Sequence, residues 1–293
     1  SSLDLRNGNN INMPNNNFDV TNNSQLNCID VDDSTWSVNN WINIDLQHFF
    51  GLNCPGGYGC TALSALNYDS TATIDDGNCA YPQTFIPDVA FEAYLESIGL
   101  GNDILGDSSV TTHRIDTLTV LDLPSGYIQD LTGIEDFVAL TYLDCSNNDL
   151  TTLGLGQNAA LTYLDCQDNN LTYLNITNCV NLTYLDADNN EFTSVDVNNN
   201  ILLTYLDFYS CVFMTSIDVS TNTLLETLWF TSTSIATCDL SNNTALTYLW
   251  CYGNLLTSLD VSNNTLLYRL RCESNQLTSL DLRNGNNTNI YTS

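Results

Sequence analysis

Imidazole is the side chain that enzymes use most often as a general base, and this chain has two, His48 and His113. Catalysis requires such a base to lie beside a nucleophile or a metal within one cleft. Neither histidine has a second histidine or a cysteine at the spacing of metal ligands, and both lie outside the regular repeats described below. The residue pattern therefore predicts no catalytic site, and we expect that the protein is not an enzyme.

Carboxylates dominate the charged groups of the chain. Its 293 residues include 34 acidic side chains and only five arginines, without a lysine, so the formal net charge is −29. Nucleic acids and anionic membrane surfaces repel such a chain, and no apolar run approaches the roughly 18 residues that a membrane span requires. We expect no nucleic-acid partner and no membrane insertion. A solvated acidic surface and a cation-dependent surface protein are both compatible with this charge.

One acidic loop has the composition of a calcium site. Asp69, Asp75 and Asp76 surround a tight turn that contains Gly77, and hard oxygen donors on such a loop are the ligands that Ca²⁺ requires. The order of the residues is not that of an EF-hand loop, and Asn-Tyr-Asp and Asp-Gly are also ordinary turn sequences. A plain turn and a calcium site are therefore both open, and we expect no other cofactor.

Repeats of 21 or 22 residues position most of the other side chains. The motif Leu-Thr-Tyr-Leu-Asp, with degenerate copies, recurs in eight coils that begin at Leu118, Leu140, Leu161, Leu182, Leu203, Leu225, Leu246 and Leu267. The coils follow the template L-x-x-L-x-C-x-x-N-x-L-x-x-L-x-L, which is a leucine-rich repeat. The alternating first half of the template predicts a short inner strand, and the second half predicts a strand-like outer side. The expected fold is a mainly-β repeat solenoid with a parallel inner sheet.

Most cysteines of the repeats point into the predicted core. One inward slot is shared by Cys145, Cys166, Ala187, Phe208, Phe230, Cys251 and Cys272. Because the alternatives in that slot are apolar, we predict buried free thiols there, and another at Cys238, which replaces a core leucine on the outer side.

An asparagine recurs at the turn that follows the inner strand. The positions are Asn148, Asn169, Asn190, Asn254 and Asn275. A buried ladder of such amides can satisfy the backbone groups of adjacent coils. We expect the ladder to break at Cys211 and Thr233, close to the extra residue that one coil carries near Met214.

The repeats resemble the 21-residue leucine-rich repeats of bacterial surface proteins, a subclass near the internalins, over residues 115–287. This resemblance implies a binding or scaffolding role without naming a ligand. Upstream, the Gly-Cys, Asn-Tyr-Asp and Asp-Asp-Gly-x-Cys elements of residues 59–79 resemble a short cysteine-bounded module of large secreted Bacteroidota proteins. That resemblance implies a disulfide between Cys60 and Cys79, and Cys28 and Cys54 remain for a second pair. It also implies an extracellular, cell-surface protein of the type IX pathway, with an export signal outside these residues.

These patterns predict four segments. Residues 1–50 form the C-terminal end and cap of a preceding leucine-rich-repeat unit, 51–84 the cysteine-bounded linker, 85–114 a helical N-terminal cap, and 115–293 the solenoid. A helix over residues 85–98, begun by Pro87-Asp88, would cover the apolar end of the first coil. In the first segment the strand-like positions are Phe18, Val20, Leu26, Cys28, Ile29 and Val31, with Trp36 and Trp41 placed to close the end.

A segment of nine residues occurs twice, letter for letter. Ser-Leu-Asp-Leu-Arg-Asn-Gly-Asn-Asn fills residues 2–10 and again residues 279–287, an offset of 277. A sequence that returns to the same register is most simply one period of a tandem array. We therefore predict a structural module of a long, tandemly repeated extracellular filament, stalk or adhesin, whose partners are copies of itself or neighbouring modules.

The side chains that alternate with the inward residues of the inner strands form a surface that we name the inner-sheet face, the concave side of the expected solenoid. Its acidic end has a column of aspartates, Asp144, Asp165, Asp186 and Asp207, beside a column of tyrosines. Such like charges repel unless cations, tyrosine hydroxyls or a basic partner offset them. The predicted binding residues at its other end are Trp229, Trp250, Tyr209, Tyr248, Tyr252, Arg269 and Arg271.

Exposed tryptophans on adjacent coils are typical of surfaces that bind proteins or sugars. Packing of the inner-sheet face against a neighbouring module is equally open. The alternative function is therefore an adhesive receptor that holds a glycan or a protein of another cell on this face.

Overall fold

The computed structural model describes residues 2–8, 12–14, 17–51, 58–70, 72–75 and 77–285. The chain forms two units, Ser1–Pro82 and Gln83–Ser293. The division falls two residues before the predicted boundary between residues 84 and 85, because a strand at Gln83–Phe85 pairs with Ser109–Thr111 inside the second unit. Asp76, which we predicted in a calcium site, lies outside the described residues.

A three-stranded parallel sheet organises the first unit. In chain order its elements are β1 (Ser2–Asp4), β2 (Cys28–Asp30), helix α1 (Ser34–Asn40) and β3 (Phe49–Gly51), and the strand order is β1-β2-β3. Two shorter strands, β4 (Tyr58–Gly59) and β5 (Ile74–Asp75), pair in parallel farther along the chain. Leu3, Ile29 and Phe50 lie side by side in the first sheet, so one apolar row crosses its three strands.

An aromatic cluster fills the core of the first unit. Phe18 stacks on Trp41 with ring centroids 4.1 Å apart, and Trp36 meets Trp41 edge-on at 5.7 Å. The Trp41 indole donates from Nε1 to the Met13 carbonyl at 2.9 Å. Of the predicted strand-like positions, Cys28 and Ile29 lie in β2. Phe18, Val20, Leu26 and Val31 lie outside any strand. Phe18 reaches the core from a loop instead.

The cysteine-bounded segment is closed by a disulfide between Cys60 and Cys79, which confirms that prediction. Asn67 adds a second link across the loop, since its Oδ1 accepts from the Ala80 N–H at 2.7 Å. Cys28 is also disulfide-bonded, and Cys54, its predicted partner, lies outside the described residues.

A helical cap opens the second unit. Its elements are β6 (Gln83–Phe85), α2 (Val89–Ser97), β7 (Ser109–Thr111) and α3 (Thr112–Ile115), with β6 and β7 antiparallel. Asp88 begins α2, as predicted, because its carboxylate accepts from the Ala90 and Phe91 N–H groups at 2.9 Å. The helix starts after residue 85 because β6 occupies that position. Phe91 and Leu95 are fully buried in the core of the solenoid, so α2 covers that core as a cap.

Twelve short strands follow in the described part of the solenoid. In chain order they are β8 (Val120–Asp122), β9 (Tyr142–Asp144), β10 (Thr152–Gly154), β11 (Tyr163–Asp165), β12 (Tyr173–Asn175), β13 (Tyr184–Asp186), β14 (Tyr205–Asp207), β15 (Thr227–Trp229), β16 (Tyr248–Trp250), β17 (Ser258–Asp260), β18 (Arg269–Arg271) and β19 (Ser279–Asp281). A 3-10 helix spans Ile134–Asp136. The inner sheet has eight parallel strands in the order β8-β9-β11-β13-β14-β15-β16-β18. One inner strand per coil confirms the predicted parallel sheet.

The outer side forms strands at only two places among the described residues. These are the parallel pairs β10 with β12 and β17 with β19. Elsewhere turns connect the coils, so the prediction of a strand-like outer side is correct in part. Leucines of adjacent coils, such as Leu143, Leu164 and Leu185, lie in register and are fully buried.

Three of the predicted buried thiols, Cys145, Cys166 and Cys251, are buried and free. The prediction was wrong for Cys238 and Cys272, which are free but only partly buried. Cys272 follows β18, which is the last inner strand among the described residues, so within them an inner strand covers it on one side only. Cys238 lies on the outer side, where the equivalent Ile217 is also only partly buried.

The predicted asparagine ladder is present. Asn169 is typical, since its Nδ2 donates to the Cys145 and Cys166 carbonyls at 3.0 and 3.1 Å while its Oδ1 accepts from the Leu150 N–H at 3.0 Å. At the predicted break the Cys211 thiol still donates to the carbonyl of the preceding coil at 3.3 Å. Thr233 hydrogen-bonds the Asn254 side chain. The residue type changes there, but the bonding between coils continues.

A second ladder, which we did not predict, lies at the opposite turn of the coils. Its asparagines are Asn158, Asn200, Asn222, Asn243, Asn264 and Asn284. Asn200 donates to the Ile176 and Cys179 carbonyls at 3.0 and 2.8 Å. The Cys179 thiol takes one rung and donates to the Leu155 carbonyl at 3.4 Å. Both turns of the solenoid are therefore joined by side-chain amides.

Candidate functional site: the inner-sheet face

Tyrosines form one column of the inner-sheet face. The pairs Tyr142–Tyr163, Tyr163–Tyr184 and Tyr184–Tyr205 are stacked with centroids 4.3 Å apart and ring planes within 10° of parallel. The spacing follows from parallel strands in register, which place equal residues about 4.8 Å apart. The hydroxyls of Tyr184 and Tyr205 in this stack reach the aspartates Asp186 and Asp207 at 3.4 and 3.2 Å.

Three of the four aspartates beside the tyrosines are buried rather than solvated, and Asp144 is partly exposed. Asp165, Asp186 and Asp207 are each less than a tenth exposed, and Asp207 is only 3% exposed. Each carboxylate accepts from the backbone N–H two residues later, and for Asp207 the Tyr209 N–H lies at 2.7 Å. The Tyr205 hydroxyl also donates to Asp207 Oδ2 at 3.2 Å.

Burial changes the acidity of this column. Loss of solvent, with repulsion from neighbouring carboxylates as a smaller cause, raises the pKa of Asp165 and Asp186 to about 6 and that of Asp207 to about 7. The pKa of Asp188, on the adjacent column, is also raised to about 6 by burial and then by Asp168. A raised pKa lowers the charged fraction of these carboxylates near neutral pH, and the Tyr184 and Tyr205 hydroxyls donate to Asp186 and Asp207. Both effects reduce the repulsion between the aspartates that the sequence predicts.

Three of these carboxylates converge. One ligand oxygen from each of Asp186, Asp188 and Asp207 lies within 4.8 Å of the others, and this is the one such group of three or more histidine, cysteine or acidic side chains in the described part of the chain. Two coils contribute to it, which is why residue spacing alone did not reveal it. In the loop where we predicted calcium, Asp75 Oδ1 accepts from the Gly77 N–H at 3.0 Å as an ordinary turn does.

The aromatic end of the face is built on a tryptophan pair. Trp229 and Trp250 stack with centroids 4.3 Å apart, and Tyr205 meets Trp229 edge-on at 5.4 Å. We predicted exposed tryptophans, but both side chains are half-buried, because each indole covers one face of the other. Within the described residues the buried Nε1 of each tryptophan has no hydrogen-bond partner. Two indole donors thus lie unused on this face.

The basic residues lie at the far end of the tryptophan pair. The Arg271 guanidinium carbon is 4.3 Å from the centroid of the Tyr252 ring and 5.8 Å from that of Trp250. Its Nε also donates to Glu273 Oε1 at 3.0 Å. The buried Nε of Arg269 has no partner among the described residues. Four of the predicted site residues therefore contact one another in series, in the order Trp229, Trp250, Arg271 and Tyr252.

The other predicted binding residues lie on the same face but outside this chain of contacts. Tyr248 meets Tyr268 edge-on at 6.1 Å, and we had not predicted a role for Tyr268. Tyr209 lies beside the aspartate column, to which its N–H donates. Both tyrosines are partly exposed, so they extend the aromatic surface towards the acidic end.

Eight coils, a parallel inner sheet and side-chain ladders at the turns define an internalin-like leucine-rich-repeat protein. No protein-family model matches the chain. Internalin J of Listeria monocytogenes serotype 4b (strain F2365) is 40% identical over 65 residues, which are 22% of this chain and 7% of that protein. In the described residues no helix is both long and apolar enough to cross a membrane.

Solved structures share the fold. The functional domain of InlJ from Listeria monocytogenes, described as including a cysteine ladder, is 32% identical and has a TM-score of 0.43 over 69% of this chain and 54% of that chain. An internalin C2 of Listeria monocytogenes str. 4b F2365 is 19% identical, with a TM-score of 0.51 over 71% of this chain and 93% of that chain. The chain thus spans about half of the solved InlJ domain and a small part of whole internalin J.

Proposed function

We propose that the chain is one module of a long, tandemly repeated extracellular surface protein, in which it acts as a non-enzymatic structural segment. The duplicated nine-residue segment carries this proposal, because its described parts, residues 2–8 and 279–285, form a strand followed by a turn at both places. It gives the strands β1 and β19, and after each strand an arginine, Arg6 or Arg283, donates from Nε to an aspartate Oδ1 at 2.9 Å. Copies of the chain or neighbouring modules are the partners.

An extracellular place is supported by the disulfide chemistry of the first unit. Cys60 and Cys79 are bonded to each other and Cys28 is also bonded, and disulfides persist in oxidising surroundings. The resemblance of residues 59–79 to a module of secreted Bacteroidota proteins supports the same location and the type IX export pathway.

The sequence of the parent gene tests the tandem arrangement. We expect further copies of the nine-residue segment at intervals close to 277 residues, and negative-stain images of the native cell surface should show extended filaments or stalks. A parent gene that encodes a single copy of the module would contradict the proposal.

The second candidate is an adhesive receptor that binds a glycan or a protein of another cell on the inner-sheet face. The observation that favours it is the stacked, partly exposed pair of Trp229 and Trp250 beside Arg269 and Arg271. Flat aromatic surface next to basic side chains suits a sugar ring or an acidic protein surface.

Alanine at both tryptophans separates the two functions. Loss of adhesion to target cells with intact assembly supports the receptor, while loss of assembly with an intact isolated module supports packing between modules. Tyr173→Ala is the matched control, because Tyr173 is an aromatic residue on the outer strand β12 and is 56% exposed. It should change neither property.

A further inference from the structure

We propose that residues 12–51 of a second copy of the module dock on the edge of β19 that has no strand partner among the described residues, and that they close this end of the solenoid. This inference rests on the tandem arrangement proposed above. In the docked state β19 takes the place that β1 has in the first unit, so that the strand sequence along the outer side becomes β17, β19, and then β2 and β3 of the second copy. The occupant of the edge is thus the cap of the next module.

The hydrogen bonds between strands already follow one pattern across both units. In the solenoid the Val261 N–H donates to the Asp281 carbonyl at 3.0 Å. In the first unit the Leu5 N–H donates to the Asp30 carbonyl at 2.9 Å, and the Val31 N–H to the Gly51 carbonyl at 2.9 Å. Each donor is the second residue after the middle of its strand. The strands of the first unit therefore repeat, within that unit, the hydrogen-bond pattern of the outer strands β17 and β19.

The duplicated segment has opposite edges occupied at its two places. As β1 it pairs with the strand that follows it, with Ser2 opposite Cys28. As β19 it pairs with the strand that precedes it, with Ser279 opposite Ser258. The local turn is the same, since Gly8 and Gly285 both have a positive φ, of 73° and 77°. If the two copies of the segment are treated as one strand, that strand has a partner on each of its two edges.

Apolar contacts favour the same docking. Leu280 is 42% exposed at the end of the solenoid, whereas Leu259, one strand earlier, is buried. Leu3, the counterpart of Leu280, packs against the aromatic cluster of the first unit. The register Leu3 with Ile29 becomes Leu280 with Ile29 of the second copy, which places Leu280 against that cluster.

Charge complementarity adds a third argument. The Arg283 side chain is 86% exposed, while its counterpart Arg6 is 38% exposed and lies 3.8 Å from Asp30 Oδ2. The Gly8 N–H also donates to Asp32 Oδ2 at 2.8 Å. Docking brings Arg283, one of five cations in a chain of net charge −29, to the Asp30 and Asp32 carboxylates of the second copy.

The test is an extended chain in which a second copy of residues 11–82, which keeps Cys54 with Cys28, replaces residues 288–293. Because residues 279–287 repeat residues 2–10, the junction changes no residue of the segment. Amide hydrogen exchange is read on a peptide that begins before residue 279, which distinguishes it from residues 2–10. We expect the Leu282 amide, which would donate to the Asp30 carbonyl of the second copy, to exchange at least about tenfold more slowly than in the original chain. Ile29→Asp in the second copy alone should restore fast exchange.

A designed disulfide tests the register independently. Asp281→Cys and Asp30→Cys, the latter in the second copy only, should become bonded because paired strands bring their Cα atoms to about 4.8 Å. Asp32→Cys in place of Asp30→Cys shifts the register by two residues and should not bond. Unchanged exchange of Leu282, or equal bonding at both positions, overturns the docking.

Other results are also informative. In the original chain, the amide exchange of β19 could become slower as the protein concentration rises. That result would show that the solenoid end of a second molecule covers this edge, and it would overturn docking of the cap. A tandem parent gene without docking overturns only the present inference. Docking in the extended chain, combined with a single-copy gene, overturns the tandem arrangement and leaves the binding surface established.

Discussion

The buried aspartate column makes the stability of the solenoid depend on pH in a direction opposite to that of most acidic residues. Asp207 has the most perturbed carboxyl of the column, with a pKa raised from 3.8 to about 7 by burial. Between about pH 4 and pH 7 the Asp207 carboxyl therefore keeps its proton in the folded state, whereas in the unfolded chain it has already lost it. Stability from this group is present below about pH 4 and is lost as the pH rises to about 7 and above.

The magnitude follows from the two pKa values. One pKa unit corresponds to about 1.4 kcal/mol, so the shift of Asp207 lowers the free energy of unfolding by about 4 kcal/mol near pH 8 relative to a side chain that never ionises. Near pH 5 the folded carboxyl is still protonated and the same comparison gives about 2 kcal/mol. Asp207→Asn keeps an acceptor for the Tyr209 N–H, so it removes the charge without removing that bond.

We expect Asp207→Asn to be more stable than the parent at both pH values, with an advantage that grows by about 2 to 3 kcal/mol between pH 5 and pH 8. Urea unfolding followed by circular dichroism measures the difference. Asp218→Asn is the control, because hydrogen bonds from the Ser220 hydroxyl and N–H lower the pKa of that exposed carboxyl. The reasoning fails if Asp207→Asn destabilises the chain near pH 8, or if its effect does not change with pH.

Four further outcomes follow from the structure. Glu92→Ala should lower the free energy of unfolding by about 3 kcal/mol, because Glu92 Oε1 accepts from three backbone N–H groups at 2.9 to 3.1 Å; urea unfolding measures the loss. Asn200→Ala should cost about 2 kcal/mol by the same assay, since two buried carbonyls lose their donor. Cys166, whose thiol pKa burial raises, should react with iodoacetamide only after unfolding. Calcium, which we propose for the loop around Asp75, should raise the melting temperature, and Asp75→Asn should abolish that rise.

Each of these outcomes has its own control. Glu92→Gln keeps the accepting oxygen and should retain most of the stability, so an equal loss in both variants would contradict the hydrogen-bond account. Asn199→Ala changes the exposed neighbour of Asn200 and should cost less than about 0.5 kcal/mol. Fast alkylation of Cys166 in the folded chain would show that the core opens. A calcium effect that survives Asp75→Asn and disappears in Asp186→Asn would place the ion on the inner-sheet face.

The number of coils and the inner strands could be predicted because each coil repeats its inward leucines at nearly constant spacing. The ladder that includes Asn169 was predictable for the same reason. The ladder that includes Asn200 also has a spacing of 20 to 22 residues when the Cys179 rung is counted, but asparagine is so common in the turns of this chain that its recurrence was not distinctive. The structure separates buried Asn200 from exposed Asn199, and burial is what a one-dimensional pattern does not contain.

The candidate site was predictable in composition but not in environment. Residue alternation placed Trp229, Trp250 and Arg271 on one face, as the structure shows. It did not show that the two indoles stack on each other, because ring orientation depends on the packing of adjacent coils. The pKa of Asp207 depends on the tyrosines that cover it, and the Asp186, Asp188 and Asp207 group depends on contacts across coils.

The aspartate column points to a role for the inner-sheet face beyond stability. The two asparagine ladders and the tyrosine stack stabilise the coils, whereas Asp165, Asp186 and Asp207 oppose folding at neutral pH because their charges are buried. Asparagine in the same positions would keep the hydrogen bonds from the backbone and remove the penalty. Successive coils of this chain nevertheless repeat aspartate there. We propose that aspartate recurs in this column because the inner-sheet face binds a cation or a basic partner, which is the role that the second candidate function gives to this face.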